Sequence, residues 1–268
     1  MIRTRTIVSL AIAAIAFSAC SSSSSTGKPA STDTLVTGSA APAAAMTVAF
    51  EENAQVELTS ASGERVLIDV YDPTLLTSPD ANVLLITHLH TDHYSVDFAD
   101  AFTGPKIVNK AGDLTAGDIK VKSIAAAHDD TAINTTDPSN YIFIVEFGGF
   151  KIVHLGSTGQ TKLTDEQLAA IGSGVDIAIG PLQNVGGLDP DKRKSVDVMD
   201  QIKPRIVIPT HSALDTVQLA AKEWKATYSS KLSVTIPKDQ LPSETTMLCM
   251  GQLATSYGAI LSVPESTW

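Results

Sequence analysis

Cysteine is nearly absent. Two stand in 268 residues, too few for a disulfide framework or a cysteine-built zinc site. Positive charge is also scarce: 19 Lys and Arg face 29 Asp and Glu, giving a formal net charge of −10. Phosphate binding needs clustered cations, so nucleic acid is not an expected partner. An anionic lipid surface finds no polybasic segment to attract. Long apolar runs are missing too. The one sustained stretch, Ile7 to Phe17 with Ser9 inside it, is too short to span a bilayer as a helix. No internal repeat is present.

What is there begins with a targeting signal. Arg3 and Arg5 precede the apolar run, and Ser18-Ala19-Cys20 follow it. Phe17-Ser18-Ala19-Cys20 resembles a bacterial lipobox. That resemblance implies a signal peptide over 1–19, lipid on Cys20, and anchoring in the cell envelope outside the cytoplasm; the alternative is an ordinary secreted protein cut nearby. Cleavage removes two cations and no acids, taking −10 to −12. Cys249 is then alone and is expected to be a small buried hydrophobe. Residues 20–45 are mostly Ser, Thr, Ala, Gly and Pro, which bury too little surface to offset ordering, so a flexible tether is expected. The folded domain is expected over 46–268.

Its first half reads as short strands: 47–50, 56–59, 66–70, 83–86, 106–108, 119–125, 141–147 and 151–154, with Phe147-Gly148-Gly149-Phe150 as a tight hairpin turn. The run 83–86 is wholly apolar, as a buried central strand should be. The second half alternates. A helix over 164–171 opens on a Thr164/Gln167 capping box. Strands are expected at 176–179 and 205–208. A helix over 191–202 carries Val196, Met199 and Ile202 on one stripe, and a helix after Ser212 carries Leu214, Val217, Ala221 and Trp224. Hairpins followed by alternating units predict two sheets with helices outside.

The strongest chemical signal is Thr87-His88-Leu89-His90-Thr91-Asp92-His93-Tyr94, directly after the buried run 83–86. In extended backbone His88, His90 and Asp92 share one side and Leu89 points back into the core. Three imidazoles and a carboxylate suit a borderline divalent ion such as zinc. The three other histidines, His128, His154 and His211, each end or closely follow an apolar β-like run. Strand ends on one sheet edge can assemble a site from distant sequence. That shared context favours His128 and His211 as ligands, with His154 in a supporting or core position.

In this order, the cluster at 88–93, His128, His154-Leu155-Gly156 and Ile208-Pro209-Thr210-His211 resemble the metallo-β-lactamase superfamily. Asp72-Pro73 and Asp176-Ile177-Ala178-Ile179-Gly180-Pro181 resemble its ascorbate-6-phosphate-lactonase-like branch of metal-dependent hydrolases. The resemblance covers roughly 46–215. It implies an αββα four-layer sandwich and two adjacent metal sites: His88, His90 and His128 for the first, Asp92, His93 and His211 for the second. In the family a carboxylate in a His-x-Gly-Asp pattern usually bridges the ions. Here Ser157 stands in its place.

A neutral hydroxyl is a weaker ligand than a carboxylate and leaves the repulsion between two dications less compensated. One tight ion at the first site is therefore expected, zinc foremost, with manganese or iron as alternatives, and a second ion weak or absent. Asp129 or Asp130 could substitute for the missing acid. Ser157 as a nucleophile has no base beside it in the sequence. The expected function is a metal-dependent hydrolase using metal-bound hydroxide on a small-molecule lactone, phosphoester or amide, with Asp92 as the catalytic residue orienting the water or accepting its proton. The alternative is a catalytically impaired metal- or ligand-binding surface lipoprotein. Oligomeric state is not legible.

Overall fold

The computed structural model describes residues 43–50, 53–129, 133–183, 191, 193–251 and 254–268. The expected signal, Cys20, and the tether up to residue 42 lie outside them, as do Asp130, Gly186 and Gly187.

Two-residue periodicity builds the layers. Along β3 (Arg65–Ile68) and β4 (Val83–Ile86), Val66, Ile68, Val83 and Leu85 enter one core while Leu67, Leu84 and Ile86 enter another on the opposite face. Both sides are buried, which is why β4 reads as an unbroken apolar run. The same division runs through β8 (Asn140–Phe147), β9 (Phe150–His154), β10 (Ile177–Pro181) and β11 (Ile206–Thr210). Phe143, Val145, Ile152, Ile177, Ile179, Ile206 and Ile208 fill the space between the sheets. Ile142, Ile144, Val153, Ala178 and Val207 face the helices outside.

The first sheet adds β1 (Ala45–Phe50), β2 (Val56–Ser60), β5 (Lys106–Val108) and β13 (Ser233–Pro237), in the order β13-β1-β2-β3-β4-β5. The second adds β6 (Gly112–Ala116), β7 (Ile119–Ala126), β12 (Lys225–Tyr228) and β14 (Thr246–Cys249), in the order β12-β14-β11-β10-β9-β8-β7-β6. Helix α1 (Val96–Ala101) packs its Ala99 into the core outside the first sheet. Helices α2 (Asp165–Ile171), α3 (Lys194–Ile202), α4 (Leu214–Glu223) and α5 (Ala254–Leu261) cover the second. The layers are α, β, β, α, as the sequence predicted.

Local chemistry agrees at several points. Phe147 pairs with Phe150 across Gly148 and Gly149, whose φ of 57° and 80° fit the tight turn. Thr164 and Gln167 form the reciprocal cap of α2. Cys249 is buried, and burial pushes its thiol up to about 12. Other expectations shift. β1 begins at Ala45, inside the stretch assigned to the tether. α3 begins at Lys194, with Asp191 in a turn. In α4 the buried stripe is Val217 and Ala220, continued by Trp224, while Leu214 is exposed at the first helical position.

Strand direction positions the site. β9, β10 and β11 are mutually parallel, and β7 runs with them because both β7 and β9 are antiparallel to β8. β3, β4 and β5 are parallel in the other sheet. The residues singled out for chemistry lie at or just past the C-terminal ends of β4, β7, β9 and β11, with His154 as the last residue of β9.

Candidate metal centre

Beyond Ile86 the chain leaves the sheet. Residues 90–93 form a turn closed by the His93 amide donating to the His90 carbonyl at 3.0 Å. Side-chain alternation therefore stops at Thr87, and Leu89 is half exposed instead of returning to the core. The turn sends the expected ligands in two directions. His88, His90 and His128 bring one ring nitrogen each within 4.8 Å of one another, and a nitrogen or carboxylate oxygen of Asp92, His93 and His211 does the same. The groups touch: the His88 and His93 ring centroids are 4.0 Å apart. All six residues expected as ligands converge, divided as the family resemblance implied.

Asp69, one residue past β3, organises both groups, and the sequence reading missed it, having noted nearby Asp72-Pro73 only as a motif of the family branch. Asp72 is instead a local cap, accepting from the Thr74 amide at 2.9 Å. Asp69 is fully buried, and burial raises its pKa. The adjacent His93, His154 and the Thr87 amide outweigh that and hold the carboxyl below its ordinary range. Being ionised, it only accepts hydrogen bonds. It accepts from the Thr87 amide and the Thr87 hydroxyl, both at 2.7 Å, and from His93 Nδ1 at 2.8 Å. With its one proton committed, the Thr87 oxygen accepts from His88 Nδ1–H at 3.0 Å. One carboxylate thereby fixes the tautomer of two imidazoles, one in each group.

The consequence at His88 is a bare Nε2 lone pair. That atom is buried and has no hydrogen-bond partner among the described residues. Burial, with His93 nearby, pushes the His88 pKa down to about 3, so the lone pair is free at neutral pH. An unshared imidazole nitrogen facing two other imidazoles is what a divalent ion requires, and the donor set fits one.

His211 follows β11 in a left-handed conformation, φ 40°, and Asp69 has φ 52°. Such values are uncommon for residues with side chains and gather at functional sites. The His211 ring stacks on His93 at 4.8 Å, its Nε2 faces Asp92 Oδ2 at 3.4 Å, and its Nδ1 is buried without a partner among the described residues. Burial, then His93, lower its pKa. Burial raises the Asp92 pKa, but His93 and His211 together bring it below the ordinary value.

His154 is core. Its Nε2–H donates to the Ala54 carbonyl at 3.2 Å and its Nδ1 accepts from the Gly156 amide at 3.2 Å, so no nitrogen is left for an ion. Ser157 is buried, with Oγ 2.9 Å from His93 Nε2. The sequence showed no base beside Ser157; the fold supplies one. Asp129 is exposed and stands 3.6 Å from His128 Nδ1. Gly159 lets its segment lie against His128, because a methyl there would overlap the His128 carbonyl. A hollow of about 610 Å³ lies at the other end of the sandwich, beside Gly148 and Gly149. Charges there pair with each other, as Lys238 does with Asp176 at 2.6 Å.

Two stacked sheets between helices, with imidazoles and carboxylates gathered past the strand ends, define the αββα class with a metal-type centre. The model of the β-lactamase superfamily domain matches residues 47–211, and the chain belongs to that family. A UPF0173 metal-dependent hydrolase from Thermococcus onnurineus is 26% identical over 204 residues, covering 65% of this chain and 89% of the relative. One from Rubrobacter xylanophilus is 30% identical over 180 residues, covering 50% and 69%. A structure from Thermotoga maritima, described as a candidate Zn-dependent hydrolase of the metallo-β-lactamase superfamily, matches with a TM-score of 0.58 at 22% identity, covering 77% of this chain and 98% of that one. It supports the fold.

Proposed function

We propose that the protein is a metal-dependent hydrolase in which His88, His90 and His128 hold one tight divalent ion, with zinc the best chemical match. The observation that carries this is the buried, unshared Nε2 of His88, held ready by Thr87 and Asp69. An ion bound there acidifies water to a pKa of about 7 and polarises a carbonyl or phosphoryl oxygen. This chain's residues do the rest. Asp92, partly exposed and ionised, orients the attacking water and accepts its proton. His211 steadies Asp92 from 3.4 Å. The substrate is a small lactone or phosphoester, the classes suggested by resemblance to the ascorbate-6-phosphate-lactonase-like branch; an amide is the third option.

Ser157 gives the second group no bridging carboxylate, so its affinity for an ion is lower than that of the first. Elemental analysis of the purified protein beside Ser157→Asp tests this. Wild type should carry close to one ion per chain and the variant close to two. Equal two-ion occupancy in both overturns the assignment. Bound metal with no turnover on a panel of esters, lactones and phosphodiesters would return the domain to a metal-holding surface protein. The lipobox-like Phe17-Ser18-Ala19-Cys20 supports lipid anchoring in the cell envelope as part of the same proposal.

A further inference from the structure

The geometry points to a second reactivity at this edge that needs no ion: Ser157 as an acyl-accepting nucleophile, with His93 as its base and Asp69 orienting that base. Asp69 Oδ2 lies 2.8 Å from His93 Nδ1, and His93 Nε2 lies 2.9 Å from Ser157 Oγ. Asp69 only accepts, so His93 Nδ1 carries the proton. Its Nε2 lone pair then receives the Ser157 hydroxyl proton. That is the relation a nucleophilic serine requires, and it is recognised by geometry and roles, whatever the order of residues in the chain.

Two features go beyond a buried hydroxyl that merely finds a partner. The serine backbone is rigidly held: the Ser157 amide donates to Asn140 Oδ1 at 3.1 Å, and Asn140 is itself tied to the Leu155 carbonyl at 2.9 Å and Thr158 Oγ1 at 3.0 Å. Gly156, at φ 58° and packed against Asn140 and Thr87, makes the sharp turn that leads out of β9 to Ser157. The base is equally fixed. His93 is fully buried, braced by Asp69 on one side and stacked on His211 along its face.

The substrate class is a small carboxylic ester. Ser157 Oγ forms a bond to the acyl carbon as its proton passes to His93 Nε2. The ester C–O bond breaks, and the departing alkoxide takes that proton and leaves as alcohol. Water then adds to the acyl-serine by the same proton route, releasing the acid and restoring the hydroxyl, so the sum is ester plus water to acid plus alcohol. An ion in the second group needs the same His93 lone pair, so the two states exclude one another there. The first group, His88, His90 and His128, contributes no reacting atom to this chemistry, and the inference stands or falls independently of the metal-hydrolase proposal.

The test is covalent labelling of the full chain, stripped with a chelator, by an alkyl fluorophosphonate. The serine oxygen bonds to phosphorus and fluoride leaves with the proton. Peptide mass mapping should find the adduct on Ser157, absent in Ser157→Ala. His93→Gln should slow it roughly 10²–10⁴-fold, the range expected for loss of a general base, with circular dichroism checking that the variant folds. Excess zinc should block the adduct on wild type. An unmodified Ser157 in the stripped wild type overturns the inference. So does labelling at an unchanged rate in folded His93→Gln or, if that variant does not fold, in Asp69→Asn, which removes the carboxylate that orients the base.

Discussion

Asp69 is one side chain upon which two imidazole orientations depend. Replacing it with Asn puts an amide where three donors converge, so the Thr87 amide, the Thr87 hydroxyl and His93 lose their common carboxylate, and His88 loses the fixed orientation of the Thr87 hydroxyl it leans on. Partners of this kind are worth 10–100-fold in metal affinity. Asp69→Asn should therefore weaken zinc binding by about that factor in competition with a chromogenic chelator, while far-ultraviolet circular dichroism stays native. His154 gives a second residue-scale expectation. Burial, above all, pushes its pKa down to about 4 from the ordinary 6.5. Between those values the unfolded chain binds a proton that the fold refuses. Stability should thus fall as pH drops from about 6.5 to about 4, by roughly 3 kcal/mol from this group. Denaturant titration of metal-free protein across that range should show a slope to which His88 and His211 also contribute, and His154→Gln should reduce it by that amount. The convergence of the expected ligands was legible because imidazoles crowded directly after an apolar run stand out from the surrounding composition. Asp69 was not, because a lone aspartate after a strand looks like any turn residue. Only the fold reveals that its carboxylate is buried beneath two rings.

At the scale of elements, the six candidate ligands sit past strand ends rather than on regular structure. That is why period-two reasoning placed Leu89 in the core and failed: the strand had already ended at Ile86. It also makes tight backbone packing in these turns consequential. The Gly159 amide donates to the Ala127 carbonyl at 3.0 Å, and its α-carbon faces the His128 carbonyl with no room for a methyl. Gly159→Ala should push the His128 segment outward. Zinc occupancy should drop well below one per chain by elemental analysis, with the melting temperature changed far less than by a core truncation. Strands with strong alternation or unbroken apolar character were readable from the sequence, as were the capping box of α2 and the Gly148-Gly149 turn. The elements it missed are short or weakly patterned: α1 has six residues, β6 is largely exposed, and α5 is apolar on most sides. The strands β12 to β14 are defined by distant partners, since β13 completes the first sheet against β1 while β12 and β14 extend the second.

For the whole molecule, the four-layer architecture was readable because both sheets separate their two faces by simple alternation. The connection of the C-terminal strands to both sheets was not, since nothing local in 225–249 names a partner. The proposed envelope anchor is also a property of the entire chain. In a host that processes lipoproteins, wild type should partition into the detergent-rich phase of a cloud-point separation and incorporate radiolabelled palmitate. Cys20→Ala should move to the aqueous phase unlabelled. Unlabelled, aqueous wild type would remove the anchor from the proposal and leave the metal centre untouched.

Setting every reactive side chain beyond the last paired residue of its strand uncouples inheritance of the scaffold from inheritance of the chemistry. An exchange at such a position breaks no ladder hydrogen bond, so a carboxylate-to-hydroxyl replacement of the kind the family resemblance implies at residue 157 meets little pressure from folding. Selection on what the edge does can then act almost alone, and close cousins of one sandwich are free to diverge in metal count and reaction while their frameworks remain superimposable.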